Sequence, residues 1–255
     1  MENTTINNIL CQMRGITLEQ MRDIHLMDRI DSKFVAPAVL LPDLLNEIAP
    51  YFMVQVNNDK VIAPYTTQYL DTENLDMFLI HQNGKLNRQK IRIRSYVDSN
   101  VSFLEVKNKN NKGRTSKIRV PIQLSHINSI DDLIEEKEFL NENSLYSRES
   151  LMPSLANNFH RITLVNNKKT ERVTIDINLS FQNYNTGKKY TLDDLMILEL
   201  KQDGWQQSDF REALTAFRIK QLPFSKYCMG TVYTAPHIKH NRFKTRLVRL
   251  HKLKN

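Results

Sequence analysis

RQKIRIRSYVDSNVSFLEVKN, residues 88–108, is the stretch on which the fold turns. Side chains along a strand alternate between two faces. Lys90, Arg92 and Arg94 therefore share one face, and Ile91, Ile93 and Ser95 share the other. Asp98-Ser99-Asn100 is turn chemistry, because Asn, Asp and Ser bond their own backbone and tolerate unusual dihedrals. The stretch reads as a β-hairpin. On its second strand Glu105 and Lys107 share a face, with Leu104 and Val106 opposite.

The same pattern recurs elsewhere. RIDSKF (29–34) alternates Arg29, Asp31 and Lys33. SKIRV (116–120) places Lys117 and Arg119 together. In LELKQ (198–202), Glu199 and Lys201 share a face, with Leu198 and Leu200 opposite. LEVKN and LELKQ are nearly the same peptide used twice. A single such strand is an ordinary half-exposed strand with solvated charges. Several, with alternate positions almost all Arg, Lys or Glu, suggest an interior instead, if the sheet closes on itself. Cations gathered there would repel one another in a reduced dielectric. A few carboxylates relieve that, and a polyanion relieves it further. Arg suits phosphate because its planar fork donates two hydrogen bonds, and Lys supplies a compact charge. Carboxylates cannot bind phosphate directly, but they are natural ligands for Mg²⁺ or Mn²⁺ beside it.

The rest of the chain supplies more strands with helices between them. Helices are predicted at 13–24, from Pro37 to Ile48, at 130–142 with Ser129 as cap, and at 209–220 capped by Ser208. Strands are predicted at 29–35, 52–56, 65–70, 88–97, 101–108, 115–120, 159–165, 171–181 and 196–202. The strands at 159–165 and 171–181 form a hairpin around residues 166–169. This order is α+β, with no long linker.

Composition narrows the classes. The 255 residues are 40% apolar, with 11 Phe and 9 Tyr, enough for a real core, and 6 Gly and 8 Pro do not suggest a loop-dominated chain. No apolar run reaches the ~18 residues of a membrane span. The polar N-terminus does not read as a secretory signal. Cys11 and Cys228 lack metal-ligand spacing and suit a reducing, cytoplasmic setting. There is no G-x-x-x-x-G-K-[ST] loop and no evident Ser-His-Asp set. His25, His81, His126 and His160 are scattered. The net charge is +8, yet Lys239, Arg242, Lys244, Arg246, Arg249, Lys252 and Lys254 crowd residues 236–255 with no carboxylate among them, so the body is nearly neutral. That tail reads either as a solvated terminus or as a contact for nucleic acid, an anionic membrane surface or a polyanionic product.

RIDSKF (29–34), YTTQYLDT (65–72), KIRIRSY (90–96), FLEVKNK (103–109), SKIR (116–119), RVTID (172–176), LELK (198–201) and FSKYCMG (224–230), in that order, resemble the motifs of the VTC domain. This is the polyphosphate polymerase module of the vacuolar transporter chaperone complex, within the triphosphate tunnel metalloenzymes that also include CYTH proteins. The resemblance covers about residues 25–230. It implies a closed, eight-stranded antiparallel β-barrel tunnel with peripheral helices, a single domain over 1–235, and a basic tail over 236–255.

Carried over motif by motif, Arg92, Arg94, Lys107, Lys117, Arg161, Arg172, Lys201 and Lys226 would act on the phosphates. Lys33, Lys90, Arg119 and Glu105 would line the substrate path. Glu199 would hold Mn²⁺ or Mg²⁺. Glu105 and Asp176 could instead orient an arginine, and Asp176 reads equally as a buried ion-pair partner. The implied activity moves the γ-phosphate of ATP to a growing polyphosphate chain. The alternatives are a metal-dependent triphosphatase or polyphosphatase, and a non-catalytic module for polyphosphate or an inositol phosphate. No specific nucleic acid is expected. CYTH proteins open with two glutamates and a lysine where this chain has Arg29, Asp31 and Lys33, which suits transfer better than two-metal hydrolysis. The regulatory and membrane segments of the family are not in this sequence, so a free-standing module, or one that meets a membrane through a partner, is expected.

Overall fold

Eight long antiparallel strands follow one another across a single sheet, and their order explains how the charged faces meet. The computed structural model describes residues 2–22, 24, 29–112, 114–122 and 134–254. In chain order the elements are α1 (Glu2–Gln12), β1 (Gly15–Thr17), α2 (Leu18–Arg22), β2 (Arg29–Pro37), α3 (Leu41–Ile48), β3 (Phe52–Val56), β4 (Ile62–Asp71) and α4 (Asp76–Gln82). They continue with β5 (Arg88–Tyr96), β6 (Val101–Lys109), β7 (Thr115–Ile122), α5 (Ile134–Asn143), β8 (Met152–Asn166), β9 (Glu171–Asn183), β10 (Lys189–Leu192) and β11 (Leu195–Asp203). The last are α6 (Asp209–Ala216), α7 (Lys226–Thr234) and α8 (Lys244–Lys254). The main path of the sheet is β2-β11-β9-β8-β4-β5-β6-β7, with β1, β3 and β10 attached beside it.

The predicted α+β class and all of the predicted strands are present. The β5–β6 hairpin closes at residues 97–100, where Asn100 adopts a left-handed conformation with φ 55°. The closure into a barrel is corrected. Among the described residues β7 and β2 end the path and do not pair with each other. The reason lies at the free edge of β2, where Phe34 bridges Gln221 and Leu222 N–H donates to Lys33 O at 2.9 Å. That edge is already occupied. β7 is exposed on both faces from Thr115 to Arg119, as suits an edge strand. The sheet nevertheless curls far enough that Lys107 on β6 feels the charges of Lys33 on β2 and Glu199 on β11.

Apolar side chains cover the convex face. Phe34, Val173, Ile175, Ile162, Leu164, Leu198 and Leu200 pack against α1, α3 and α6 through Leu10, Leu41, Leu44, Leu45 and Phe210. On the other half, Ile91, Ile93, Leu104 and Val106 meet Leu140 of α5. Ser129 lies outside the described residues, and α5 begins at Ile134. Where one helix was predicted over 13–24, Gly15–Thr17 form β1 and Leu18–Arg22 form α2. The helix capped by Ser208 ends at Ala216, and Arg218 follows with φ 56°.

Helices α1, α4, α7 and α8 were not predicted. In place of a solvated terminus, the basic tail forms α8, anchored by buried Phe243 and Leu250. These two apolar residues, seven apart, supply one helical stripe. Lys254 also pairs with Asp194 at 3.0 Å. No helix among the described residues is long and apolar enough to cross a membrane.

Candidate functional site

Cross-strand partners share a face of a sheet. The registers therefore place the charged residues without reference to side-chain detail. On the far half, Lys90 pairs with Lys107 and then Lys117, and Arg92 pairs with Glu105 and then Arg119. Arg94 meets Thr67 of β4. On the near half, Lys33 pairs with Glu199, Glu199 with Thr174, Lys201 with Arg172, and Arg161 with Asp176. All these side chains lie on the concave face, opposite the apolar layers that α3, α5 and α6 cover. Lys226 joins them from the first turn of α7.

Three carboxylates organise most of the cations. Glu105 is bonded by Arg92 Nε at 2.7 Å and by Lys117 Nζ at 3.1 Å. Asp176 takes both forks of Arg161, at 2.6 and 2.8 Å, and also pairs with Lys226. Glu199 pairs with Lys33 and, at 3.8 Å, with Lys201. Burial alone would push each of these carboxyl groups up, but the surrounding cations win. Glu105 is held at about 2, chiefly by Arg92, Arg94 and Lys117. Asp176 and Glu199 are held well below the usual carboxylate range by Arg161 and Lys226, and by Lys33 and Lys201, respectively. All three are ionised at neutral pH.

Positive charge remains in excess. Arg94 Nε is buried and has no hydrogen-bond partner among the described residues. Burial and the neighbouring charges of Arg92 and Arg161 lower its pKa. Lys107 is pushed down to about 8, first by burial and then by Arg92. Lys226 is also pushed down to about 8 by burial, with Asp176 pulling the other way. Arg119 lies 4.3 Å from the centre of the Phe103 ring and makes no ion pair among the described residues. A buried donor without an acceptor and two lysines driven toward neutrality mark a face arranged for an anion that would repay their desolvation.

One end of this face is covered by α7. Its N-cap Ser225 accepts from Cys228 N and also from Lys90 Nζ at 2.9 Å. Gly230 lets the helix lie directly on the sheet, since a Cβ there would overlap Phe181 and Leu155. Asp71, fully buried at the end of β4, accepts from the amides of Thr72, Met77 and Phe78 and from the Tyr227 hydroxyl. It thereby starts α4 and fixes α7, setting Lys226 against Asp176. Sequence reasoning did not single out Asp71 or Ser225. The signal for Ser225 was available, as a serine directly before KYC with a helical pattern beyond it.

The carboxylates differ in reach. Side-chain exposure is 1% for Glu105, 4% for Asp176 and 18% for Glu199, so Glu199 is the one of the three open to a ligand. No group of three or more His, Cys, Asp or Glu side chains among the described residues could hold a metal ion. Of these three carboxylates Glu199 is the one that could reach a divalent cation, with phosphate and water oxygens completing the shell. Mg²⁺ is commonly held in that way.

Comparisons with known proteins agree with this architecture. The VTC domain family model matches residues 28–234. A proposed adenylate cyclase from Bacillus halodurans superposes with a TM-score of 0.50 at 14% identity, covering 78% of this chain and 96% of that one. A proposed adenylyl cyclase from Hippeastrum, described as having a dominant triphosphatase activity, gives 0.49 at 13% identity, covering 84% and 100%. At this identity the first likeness speaks to the fold alone. No curated protein matches the sequence at a significant level.

Proposed function

Because the chain belongs to the VTC domain family, we propose that it moves the γ-phosphoryl group of ATP onto the end of a polyphosphate chain bound along the concave face. The observation that carries this reading is the unpartnered, buried Arg94 Nε within a face where cations outnumber carboxylates. A condensed phosphate offers regularly spaced oxygens, and the cations are regularly spaced too. Lys90, Arg92 and Arg94 follow one another at every second residue of β5, about 7 Å apart.

In the proposed step a terminal phosphate oxygen of the chain forms a bond to the γ-phosphorus of ATP. The bond from that phosphorus to the β-bridging oxygen breaks, and ADP leaves. The acceptor is already an oxyanion, so little general-base chemistry is needed. Positioning and electrostatic stabilisation supply most of the effect. Arg94 and Arg92 would hold the equatorial oxygens. Lys107 and Lys226 would neutralise charge on either side, the bound anion favouring the charged form of each. Arg161, locked by Asp176, would keep its remaining surface fixed toward the chain. Mn²⁺ or Mg²⁺ held by Glu199 would supply charge neutralisation at the phosphate oxygens.

The test is to incubate the protein with ATP and Mn²⁺ and resolve the products on a gel. Long polyphosphate with stoichiometric ADP is expected. Orthophosphate as the sole product would replace transfer by hydrolysis on the same face. Tight binding of polyphosphate or an inositol phosphate, with no turnover in any divalent metal, would leave a binding module.

A further inference from the structure

The cation column of β5 does not stop at Lys90. Arg88, one step further on the same face, stands at the first position of the strand. The folded tail brings two more arginines to it. Arg242 precedes α8 and Arg246 lies within it. Arg88 and Arg246 are each lowered chiefly by burial, with the Cys228 thiol pulling the other way and the like charge of Arg242 lowering them further. Neutral His81 is surrounded by Lys90, Arg88, Arg246 and Arg242, with burial as the main cause of a pKa near 2. Among the described residues no carboxylate pairs with Arg88, Arg242 or Arg246. Arg88 donates only a long bond, 3.4 Å, to Lys85 O.

These arginines are held in place. Phe243 is fully buried against Phe78 and His81. Arg246 lies over the Phe243 ring at 5.7 Å. Gly84 has φ 76° and no side chain, and a Cβ there would overlap the Arg242 guanidinium. Arg242 therefore rests directly on the turn after α4. The fold brings the three guanidinium groups together beside the turn after α4, and among the described residues no carboxylate pairs with them; the nearest acidic group is the Cys228 thiol, 2.9 Å from His81 Nδ1.

We propose that Arg88, Arg242 and Arg246 form a second phosphate-binding subsite, which takes the part of a condensed phosphate chain that runs past Lys90 and the N-terminus of α7. The subsite is built by docking a segment outside residues 28–234 onto β5. It rests on the reading above that a phosphate chain lies along β5. It adds that the basic tail serves the chain rather than a membrane or nucleic acid. Arginine suits this role, because each planar fork can take two oxygens of one phosphate unit.

The full chain and the double variant Arg242→Gln/Arg246→Gln are compared for binding of tripolyphosphate, which the β5 column alone can hold, and of long-chain polyphosphate, both without metal. Long-chain affinity is expected to fall about fivefold to tenfold at low salt, as suits two partly exposed charge contacts. Its salt dependence should become shallower. Tripolyphosphate affinity is expected to stay within about twofold, since its contacts do not include the tail. Unchanged long-chain affinity in the variant overturns the subsite and leaves the reading of the concave face intact. If the wild-type chain binds neither ligand, both fail. If the double variant loses both ligands together, Arg88→Gln, which leaves the tail untouched, decides by the same pair of ligands. Selective loss of the long chain supports the subsite, and any other result overturns it.

Discussion

Arg161 grips Asp176 with two parallel hydrogen bonds across β8 and β9, Nε to Oδ1 at 2.6 Å and Nη2 to Oδ2 at 2.8 Å, and Lys226 reaches the same carboxylate from α7. One buried anion thus ties two strands and the helix that covers the end of the face. Asp176→Asn would leave two buried cations uncompensated. It is expected to destabilise the fold by about 3–5 kcal/mol. Urea denaturation reads this directly. Tripolyphosphate should restore part of the loss in the variant, by supplying the missing negative charge.

Arg94 and Arg92 differ although they are neighbours on one face. Arg92 is hydrogen-bonded to Glu105, which is almost wholly buried, whereas Arg94 Nε has no hydrogen-bond partner among the described residues. Arg94→Ala is expected to cut turnover about 100-fold, the scale of losing one preorganised charge in a transition state, with the melting temperature unchanged or raised. Arg92→Ala should lose both turnover and stability, because it leaves buried Glu105 with the half-exposed Lys117 as its remaining hydrogen-bonded cation. Equal effects of the two on thermal melting would contradict this division.

Glu199 is the partly exposed carboxylate of the three and is held by Lys33 and Lys201. Glu199→Gln removes a negative charge from a phosphate path. Metal-free binding of tripolyphosphate should therefore be retained or tightened, while stimulation by Mn²⁺ or Mg²⁺ is lost. Titration calorimetry with and without metal separates the two effects.

Lys107 and Lys226 both titrate near 8 in the unliganded protein, burial being the main cause for each. A bound polyanion favours their charged forms. Affinity for tripolyphosphate should be steady below about pH 8 and fall above it, with proton uptake on binding that calorimetry in two buffers detects. Stability of the empty protein moves the other way. Both lysines titrate near 10.5 when unfolded, so between about 8 and 10.5 the unfolded chain binds more protons. The contribution of these lysines to stability then rises with pH.

Much of the charged face was legible in the chain. KIRIRSY, LEVKN and LELKQ alternate, and alternation is enough to say that Lys90, Arg92 and Arg94 share a side. It also separates them from Ile91 and Ile93, which the fold buries under α5. Alternation does not say which carboxylate meets which cation. Glu105 lies 12 residues from Lys117, and Asp176 lies 50 from Lys226. Such pairings depend on register and on where a distant helix docks.

The tail shows the same division. Its seven cations and missing carboxylates were plain, and they suggested either a solvated terminus or a contact for a polyanion or an anionic surface. Phe243 and Leu250 overrode the first, because burying two large apolar side chains against Phe78 and neighbouring residues outweighs the cost of ordering the segment. Barrel closure was likewise beyond local reading, since Gln221 and Leu222 compete for the edge that β7 would need. Strand identity and the sidedness of charge are short-range properties, written within a few residues of each position. Ion-pair choice, the open edge and the docked arginines of the tail arise only when segments far apart in the chain compete for one face, one edge or one carboxylate.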